Sequence, residues 1–350
     1  MGSRDATVVY VSYWEAFEER LMLTQSETPT VSVVIPTFNR SALIGGALES
    51  VLQQTYKDYE IIVIDDGSTD DTRDRLNSYM KDIRYVFQDN KGASAAQNKG
   101  IQLARGKWVS ILGSDDRWLP AKLERQLTVL TALGNDFGAC FTDCVYVGNP
   151  RFTLSAFEEA GLKCTESFGP LDNPLQYLFA EDPPLCVQSS IVLRSLLQDL
   201  NGFDESMVVG EDVDLLFRMT FRTRFCLVSA PLVKIDRTPS ESRLTDLLSH
   251  KSDRIYASLE HRHRKWFSCT ERLDNDTRRA LRDRLRLFYY GWTADKLTHL
   301  ELRAAREKIT AIRELGDGYF TIVGTLISES RTLKKLRNSR FPWVFGRSGG

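Results

Sequence analysis

The 350-residue chain is 42 % hydrophobic and 27 % charged, a globular balance that excludes a disordered or membrane-spanning protein. Its net charge of −1 is a cancellation: residues 1–250 carry 24 Lys/Arg against 35 Asp/Glu, and residues 251–350 carry 22 against 12. At about 150 residues per domain, the length allows two domains or one large α/β domain with an extension.

Residues 1–30 read as a lead-in, with a strand over Ala6–Trp14 and a short helix over Glu15–Leu23. Regular order is predicted from Val31. Val31–Ile35 reads as a buried strand, Leu43–Gln53 as an amphipathic helix, Tyr59–Ile64 as a second strand and Asp70–Met80 as a helix. Ile83–Gln88 is a third strand, Ala93–Ala104 a helix and Trp108–Leu112 a fourth strand. This alternation predicts a doubly wound α/β sheet, in which ligands gather at the carboxyl ends of the strands. The polar clusters Pro36-Thr37-Phe38-Asn39, Asp65-Asp66 and Ser114-Asp115-Asp116 follow three of those strands. Beyond residue 120 the pattern loosens into a helix over Lys122–Leu133, a strand over Ala139–Val147 and an irregular stretch over Gly148–Pro184. A strand over Val187–Leu193, a turn at Asn201–Asp204 and a helix over Asp212–Thr220 follow. Helices are predicted over Tyr256–Trp266, Asp276–Tyr290 and Leu300–Leu315, with a shorter basic one over Leu326–Arg337.

The six cysteines show no repeated C-x-x-C spacing, and the four histidines lie far from most of them, so buried reduced thiols are expected rather than a zinc site. The apolar run Tyr319–Ile327 is too short to span a bilayer, and the N-terminus lacks a signal pattern, so a cytoplasmic protein is expected.

Three acidic clusters are candidates for chemistry, and each has a purely structural alternative. Asp65-Asp66 can accept a hydrogen bond from a base N–H or a ribose hydroxyl, or simply solvate a strand exit. Asp115-Asp116 repel one another, a cost that a hard divalent cation offsets, or that solvent screens at an exposed turn. Glu211-Asp212 at a helix start can supply a general base, or merely complement the helix dipole.

Taken in order, the motifs resemble the family 2 glycosyltransferases, inverting nucleotide-sugar enzymes of the GT-A fold. The resemblance is carried by Val31-Ser-Val-Val-Ile-Pro-Thr-Phe-Asn-Arg40, Glu49-Ser-Val-Leu-Gln-Gln-Thr-Tyr56 and Glu60-Ile-Ile-Val-Ile-Asp-Asp-Gly-Ser-Thr-Asp70. It continues through Asn90-Lys-Gly-Ala-Ser-Ala-Ala-Gln-Asn-Lys-Gly-Ile101, Leu112-Gly-Ser-Asp-Asp-Arg-Trp-Leu-Pro120, Gly202-Phe-Asp204 and Gly210-Glu-Asp212. It is dense over residues 31–130 and thins to short motifs by 243. It implies a GT-A-type, Rossmann-like mixed sheet flanked by helices over 31–245, divided into a nucleotide-binding half (31–120) and an acceptor half (121–245). A basic helical region (246–350) follows.

The resemblance also implies roles. Pro36, Thr37 and Phe38 line the base pocket, Asp66 bonds the base with Asp65 beside it, and Asn98, Ser114, Asp115 and Arg237 serve the donor. Asp115 and Asp116 hold Mn²⁺ or Mg²⁺. Asp212 is the catalytic base with Glu211 as its neighbour. Trp118 and Asp204 shape the sugar or acceptor pocket, a core position being the other reading of Trp118. The expected donor is a nucleotide-diphosphate sugar, a UDP-sugar being favoured, and the acceptor a saccharide or lipid-linked hydroxyl.

Two positions depart from the family pattern. Gly113 stands where Asp-x-Asp-Asp has its first aspartate, and Gln97 stands where an arginine is frequent. The late segment Lys234–Leu244 offers Arg237, Ser240 and Arg243 but no histidine. A nucleotidyltransferase would need a Gly-rich triphosphate loop after Ile35, which is absent, and a non-catalytic nucleotide-sugar binder would not need Asp212. Within Leu326–Gly350 six basic residues face a single acid, which suits a solvated helix face, an anionic membrane surface or an oligomer contact. Nucleic acid is not an expected partner, because the body is acidic.

Overall fold

Val31-Ser-Val-Val-Ile35 is apolar at nearly every position because its strand is covered on both faces, as parallel central strands are. β1 (Val31–Thr37) lies between β2 (Tyr59–Asp65) and β4 (Trp108–Ile111) and runs parallel to both. β3 (Arg84–Phe87) adds parallel to β2. The computed structural model describes residues 28–162, 167–179, 183–238, 253–269, 271, 273–298 and 301–316. The expected lead-in strand and helix, the Tyr319–Ile327 run, Ser240, Arg243 and the basic segment Leu326–Arg337 lie outside the described residues.

Period-2 alternation sorts the strand side chains into two cores. Val33, Ile35, Ile61 and Val63 pack with α1 (Ile44–Leu52). Val34, Ile62 and Ile64 face the other side, towards α3 (Ala93–Leu103). Between these helices, the expected helix over 70–80 is only α2 (Thr72–Leu76), followed by a 3₁₀ turn over Asn77–Tyr79. Asn77 and Ser78 compete with the helical backbone for hydrogen bonds, and Leu76 is the one apolar side chain of that stretch that is buried.

The sheet then becomes mixed. After the two-residue β5 (Arg117–Trp118) and α4 (Lys122–Leu133) come β6 (Phe137–Val147), β7 (Phe168–Leu171), β8 (Ser190–Leu193) and β9 (Arg224–Asp236). The order is β3-β2-β1-β4-β8-β6-β9-β5, with β7 paired to β9. β9 has no counterpart among the predicted strands. Pro231 interrupts its apolar pattern, and the structure tolerates it because the β6–β9 register shifts between Thr142 and Asp143, which pairs with Pro231. The first turn of the predicted strand Val187–Leu193 is instead 3₁₀ (Val187–Ser189), where the Ser189 and Ser190 hydroxyls bond the Cys186 and Val187 carbonyls. Short helices α5 (Ala156–Glu159), α6 (Leu175–Leu178) and α7 (Arg194–Asp199) sit in the connections. α8 (Glu211–Met219) precedes β9, and α9 (Asp253–Ser268), α10 (Asn275–Thr298) and α11 (Leu302–Glu314) complete the described chain. Among the described residues no helix is long and apolar enough to cross a membrane.

A buried lysine ties the two halves of the sheet together. Lys122 Nζ donates to Ser110 Oγ (2.9 Å), Gln126 Oε1 (2.9 Å) and the Ser190 carbonyl (3.2 Å), and lies 4.0 Å from the centroid of the Trp118 ring. Burial lowers its pKa from 10.5 to about 7. Between those values the unfolded chain holds the extra proton, so this group makes stability rise with pH across that window. Lys122→Met should cost about 1–3 kcal/mol from the unsatisfied Gln126 Oε1, the Ser190 carbonyl keeping the Ser110 hydroxyl as a donor. The gap to wild type should widen between pH 7 and pH 10, the window of the lowered pKa. Thermal unfolding at both pH values checks this, and a pH-independent gap would contradict it.

Candidate active site

The carboxyl ends of β2, β1 and β4 are neighbours, so the polar residues that follow them line one edge of the sheet. Thr37 ends β1, buried, and its carbonyl accepts the Asp66 N–H at 2.9 Å. The Thr37 Oγ1 is buried with no hydrogen-bond partner among the described residues. Pro36 is half-buried before it, and Phe38 after it is 42 % exposed. Asn39, at φ +51°, holds the loops after β1 and β2 together: its Oδ1 accepts the N–H groups of Thr69 (2.8 Å) and Asp70 (3.3 Å).

The two aspartates after β2 have different tasks. Asp65 is fixed by the Ser68 N–H and the Tyr85 hydroxyl, each at 2.9 Å, and together with burial it pushes the Tyr85 phenol up to about 12. Asp66 accepts from Gln88 Nε2 (2.7 Å), Lys91 N (2.9 Å) and Gly92 N (2.8 Å), which shapes the loop leading into α3. A carboxylate has about four acceptor sites, so Asp66 keeps roughly one for a ligand.

Asp115 and Asp116 converge over Gly113. A Cβ built at Gly113 would lie 2.5 Å from Asp116 Oδ2 and 3.1 Å from Asp115 Oδ1. The glycine that replaces the family's first aspartate therefore leaves the space that the next two carboxylates fill. Asp116 is buried, accepts the Asp236 N–H at 3.1 Å, and is pushed up to about 8 by burial and by the Asp115 charge. Ser114 is buried beside them. Two adjacent hard carboxylates, one of them desolvated, suit a divalent cation that keeps waters or phosphate oxygens as its other ligands. No cluster of three His, Cys, Asp or Glu residues able to hold a metal occurs among the described residues, so a cage made wholly of protein ligands is not present there. Arg237, after β9, lies with its guanidinium 5.2 Å from the Tyr146 ring, and its charge reaches Asp116.

Glu211 and Asp212 form the first turn of α8, whose N-cap Gly210 is left-handed at φ +77°. Asp212 Oδ1 accepts the Val213 N–H at 2.7 Å. Burial and the Asp212 charge push Glu211 up to about 8. The next acid, Asp214, is fully buried and accepts from Arg218 Nε (2.8 Å), Lys265 Nζ (3.0 Å) and Trp266 Nε1 (3.1 Å).

Three expected site residues are occupied by the protein itself. Trp118 is a core residue rather than a pocket wall: it is 3 % exposed, and its Nε1–H bonds the Gln188 carbonyl. Asp204 turns to α9, where Lys265 lies at 2.7 Å and His261 at 3.3 Å; against the cost of burial, Lys265 and Ser206 hold it well below the usual carboxylate range. The Asn98 amide bridges Phe203 N and O and Glu205, and so positions the turn before α8. Gly113, Asp236, Asp214 and the α9 side chains did not stand out in the sequence. Only Gly113 had a local signal, as a departure from the family pattern.

The family description "Glycosyl transferase family 2" matches residues 32–200, the span that builds this edge. Residues 32–200 are a glycosyltransferase family 2 domain. An uncharacterised family member of Rickettsia prowazekii is 32 % identical over 191 residues, 55 % of this chain and 58 % of that protein. The chain thus spans little more than half the length of that curated relative. An Escherichia coli protein named UDP-Glc:alpha-D-GlcNAc-diphosphoundecaprenol beta-1,3-glucosyltransferase WfaP is 42 % identical over 100 residues, 28 % of this chain and 39 % of that one. The structure of residues 1–349 of S. aureus TarS, in complex with UDP-GlcNAc, superposes with a TM-score of 0.54 at 17 % identity. It covers 91 % of this chain and 94 % of that one, which extends the GT-A likeness in fold into the C-terminal helices.

Proposed function

We propose that the protein is an inverting glycosyltransferase that moves a sugar from a nucleotide-diphosphate sugar to a hydroxyl of a saccharide or lipid-linked acceptor. The observation that carries this reading is the convergence of Asp115 and Asp116 over Gly113, beside the Thr37–Asp66 contact, within a family 2 domain. Phe38 is exposed for stacking on the base, and the unpartnered Thr37 hydroxyl and the remaining Asp66 acceptor site address its edge. A UDP-sugar donor is favoured, in keeping with the name of the E. coli relative, a UDP-Glc glucosyltransferase whose acceptor is GlcNAc on a lipid diphosphate.

A divalent cation, Mn²⁺ or Mg²⁺, held by Asp115 and Asp116 would supply charge neutralisation for the departing diphosphate. Arg237 adds a positive charge at the same place. Asp212 accepts the acceptor hydroxyl's proton while that oxygen attacks the anomeric carbon. The bond from the anomeric carbon to the diphosphate oxygen breaks, its electron pair leaves with the nucleotide, and one displacement inverts the centre. Burial and the neighbouring Asp212 charge push Glu211 up to about 8, so Glu211 holds its own proton near neutrality.

For the acceptor, a cavity of about 550 Å³ opens on the other half of the domain, lined by Asp143, Tyr146, Phe152, Ser155 and Glu158 among others. Tyr146 and Phe152 pack with ring centroids 4.6 Å apart, an apolar surface for a sugar ring flanked by carboxylates that accept its hydroxyls. Phe152→Ala should raise the acceptor KM about tenfold with little effect on donor KM, since one lost ring contact is worth about 1–1.5 kcal/mol. Steady-state kinetics with each substrate varied checks this, and an equal rise in both constants would remove the assignment. The reaction itself is tested by a screen of nucleotide-sugars for nucleotide diphosphate release. Activity should vanish in excess chelator and return with Mn²⁺ or Mg²⁺, whereas full activity in chelator would exclude the metal.

A further inference from the structure

The basic C-terminal region, which shows no family resemblance in its sequence, reaches the candidate base. α9 is fastened to α8 and its lead-in by three contacts. Ser258 Oγ accepts the N–H groups of Val208 (3.0 Å) and Val209 (3.3 Å), Lys265 bridges Asp204 and Asp214, and Trp266 bonds Asp214. Between these contacts lies Arg262. Its side chain is 7 % exposed, and its guanidinium stands 4.9 Å from the Trp266 ring centroid. A Cβ at Gly210 would lie 2.4 Å from Arg262 Nη1, so the guanidinium fills the space that any side chain at the α8 N-cap would need.

This is an unfavourable place for a cation on general grounds. It is desolvated, it stands at the positive end of a helix dipole, and it has a second arginine, Arg284 of α10, close by. Arg262 Nε has no hydrogen-bond partner among the described residues. The compensating charges are Glu211, Asp212 and Asp214, all in the first turn of α8. The other titratable groups around it are Lys265 and His263 on α9; His263 is buried and held neutral by that burial and by the Arg262 charge.

We propose that Arg262 is a positioning residue for the candidate base: its guanidinium, seated on the Gly210 N-cap, supplies the positive charge beside the Glu211–Asp212 pair and makes the C-terminal helices part of the catalytic unit. The inference rests on the assignment of Asp212 as the base. With the cation in place, the pair loses its first proton at lower pH, so a carboxylate is ready to accept the hydroxyl proton at neutral pH.

The test compares wild type, Arg262→Met and Arg262→Lys in the full chain. In Arg262→Met the acidic limb of the kcat/KM profile for transfer should move up by about one pH unit, a rate loss of roughly tenfold below the limb. Donor affinity should stay within about twofold, and Arg262→Lys, which keeps the charge, should return the limb to near its wild-type position. An unmoved limb in Arg262→Met, with activity lost evenly at all pH values, would make Arg262 a packing residue only and overturn the proposal. Failure of the lysine variant to restore the limb would also overturn it. Where Arg262→Met does not fold, Gly210→Ala displaces the guanidinium without removing it and should move the limb in the same direction. An unmoved limb there counts against the proposal. A ¹³C carboxyl titration, assigned with Asp212→Asn and Glu211→Gln, reads the same coupling without turnover. If it shifts in Arg262→Met while wild type transfers no sugar, the charge coupling stands and the glycosyltransferase reading fails. If it does not shift, the coupling itself is refuted.

Discussion

Asp212→Asn should reduce sugar transfer by about 10²–10⁴-fold, the range a positioned general base contributes. Nucleotide-sugar affinity should change by no more than about twofold, because the residues proposed to bind the donor, Thr37, Asp66, Asp115 and Asp116, lie at or beyond the ends of β1, β2 and β4 rather than on α8. The substitution is sterically mild. An asparagine Oδ1 still accepts the Val213 N–H, which Asp212 accepts at 2.7 Å, so α8 keeps its first turn. What is lost is the ability to take a proton. Isothermal titration with the donor, together with initial rates for transfer, separates the two effects. Transfer retained within a few-fold would remove Asp212 from the mechanism and leave Glu211 as the candidate.

The second large effect is structural and concerns Asp214, two residues further along the same helix. Its carboxylate is fully buried and accepts from Arg218, Lys265 and Trp266. Asp214→Ala leaves Trp266 Nε1 and Arg218 Nε without an acceptor and Lys265 with Asp204 alone, and removing one partner of a buried ion pair costs about 3–5 kcal/mol. Because Lys265 and Trp266 belong to α9, the loss should also loosen the C-terminal helices from the domain. Denaturant unfolding should show the drop, and hydrogen exchange should show amides of 253–268 losing protection before those of β1 and β2. Exchange that accelerates uniformly, or a loss under about 1 kcal/mol, would show that Asp214 is not the clamp.

The contrast between these neighbours shows what was legible. Asp212 could be marked as a candidate because its motif follows a recognisable series along the chain. Asp214 was not, because an acid in a first helical turn is the ordinary complement of a helix dipole, and its partners stand some 50 residues away. Trp118 kept two readings for a related reason: an aromatic next to an acidic pair suggests a pocket as readily as a core position. The structure turns it inward, onto the buried Lys122 that no sequence signal marked. β9 was missed because Pro231 breaks its pattern, although a bulge in its pairing with β6 absorbs the proline. Each miss is a long-range contact that outweighed a local propensity.

Sequence alone determined the first part of the sheet: the strand–helix alternation over residues 31–112, the clusters that follow its strands and the order of its motifs. Those features are local, set by hydrophobic period and by residues at strand ends, so they can be read one segment at a time. Tertiary structure alone decided which acids serve as anchors, why Gly113 is compatible with a close carboxylate pair, and where the charge of the two ends of the chain is spent. The acidic body and the basic C-terminal region meet at α8, where Arg262 and Lys265 stand against Glu211, Asp212 and Asp214. Charge complementarity between distant segments leaves no periodic trace in a sequence; it is expressed only when packing brings the opposed groups within a few ångströms and removes the water between them.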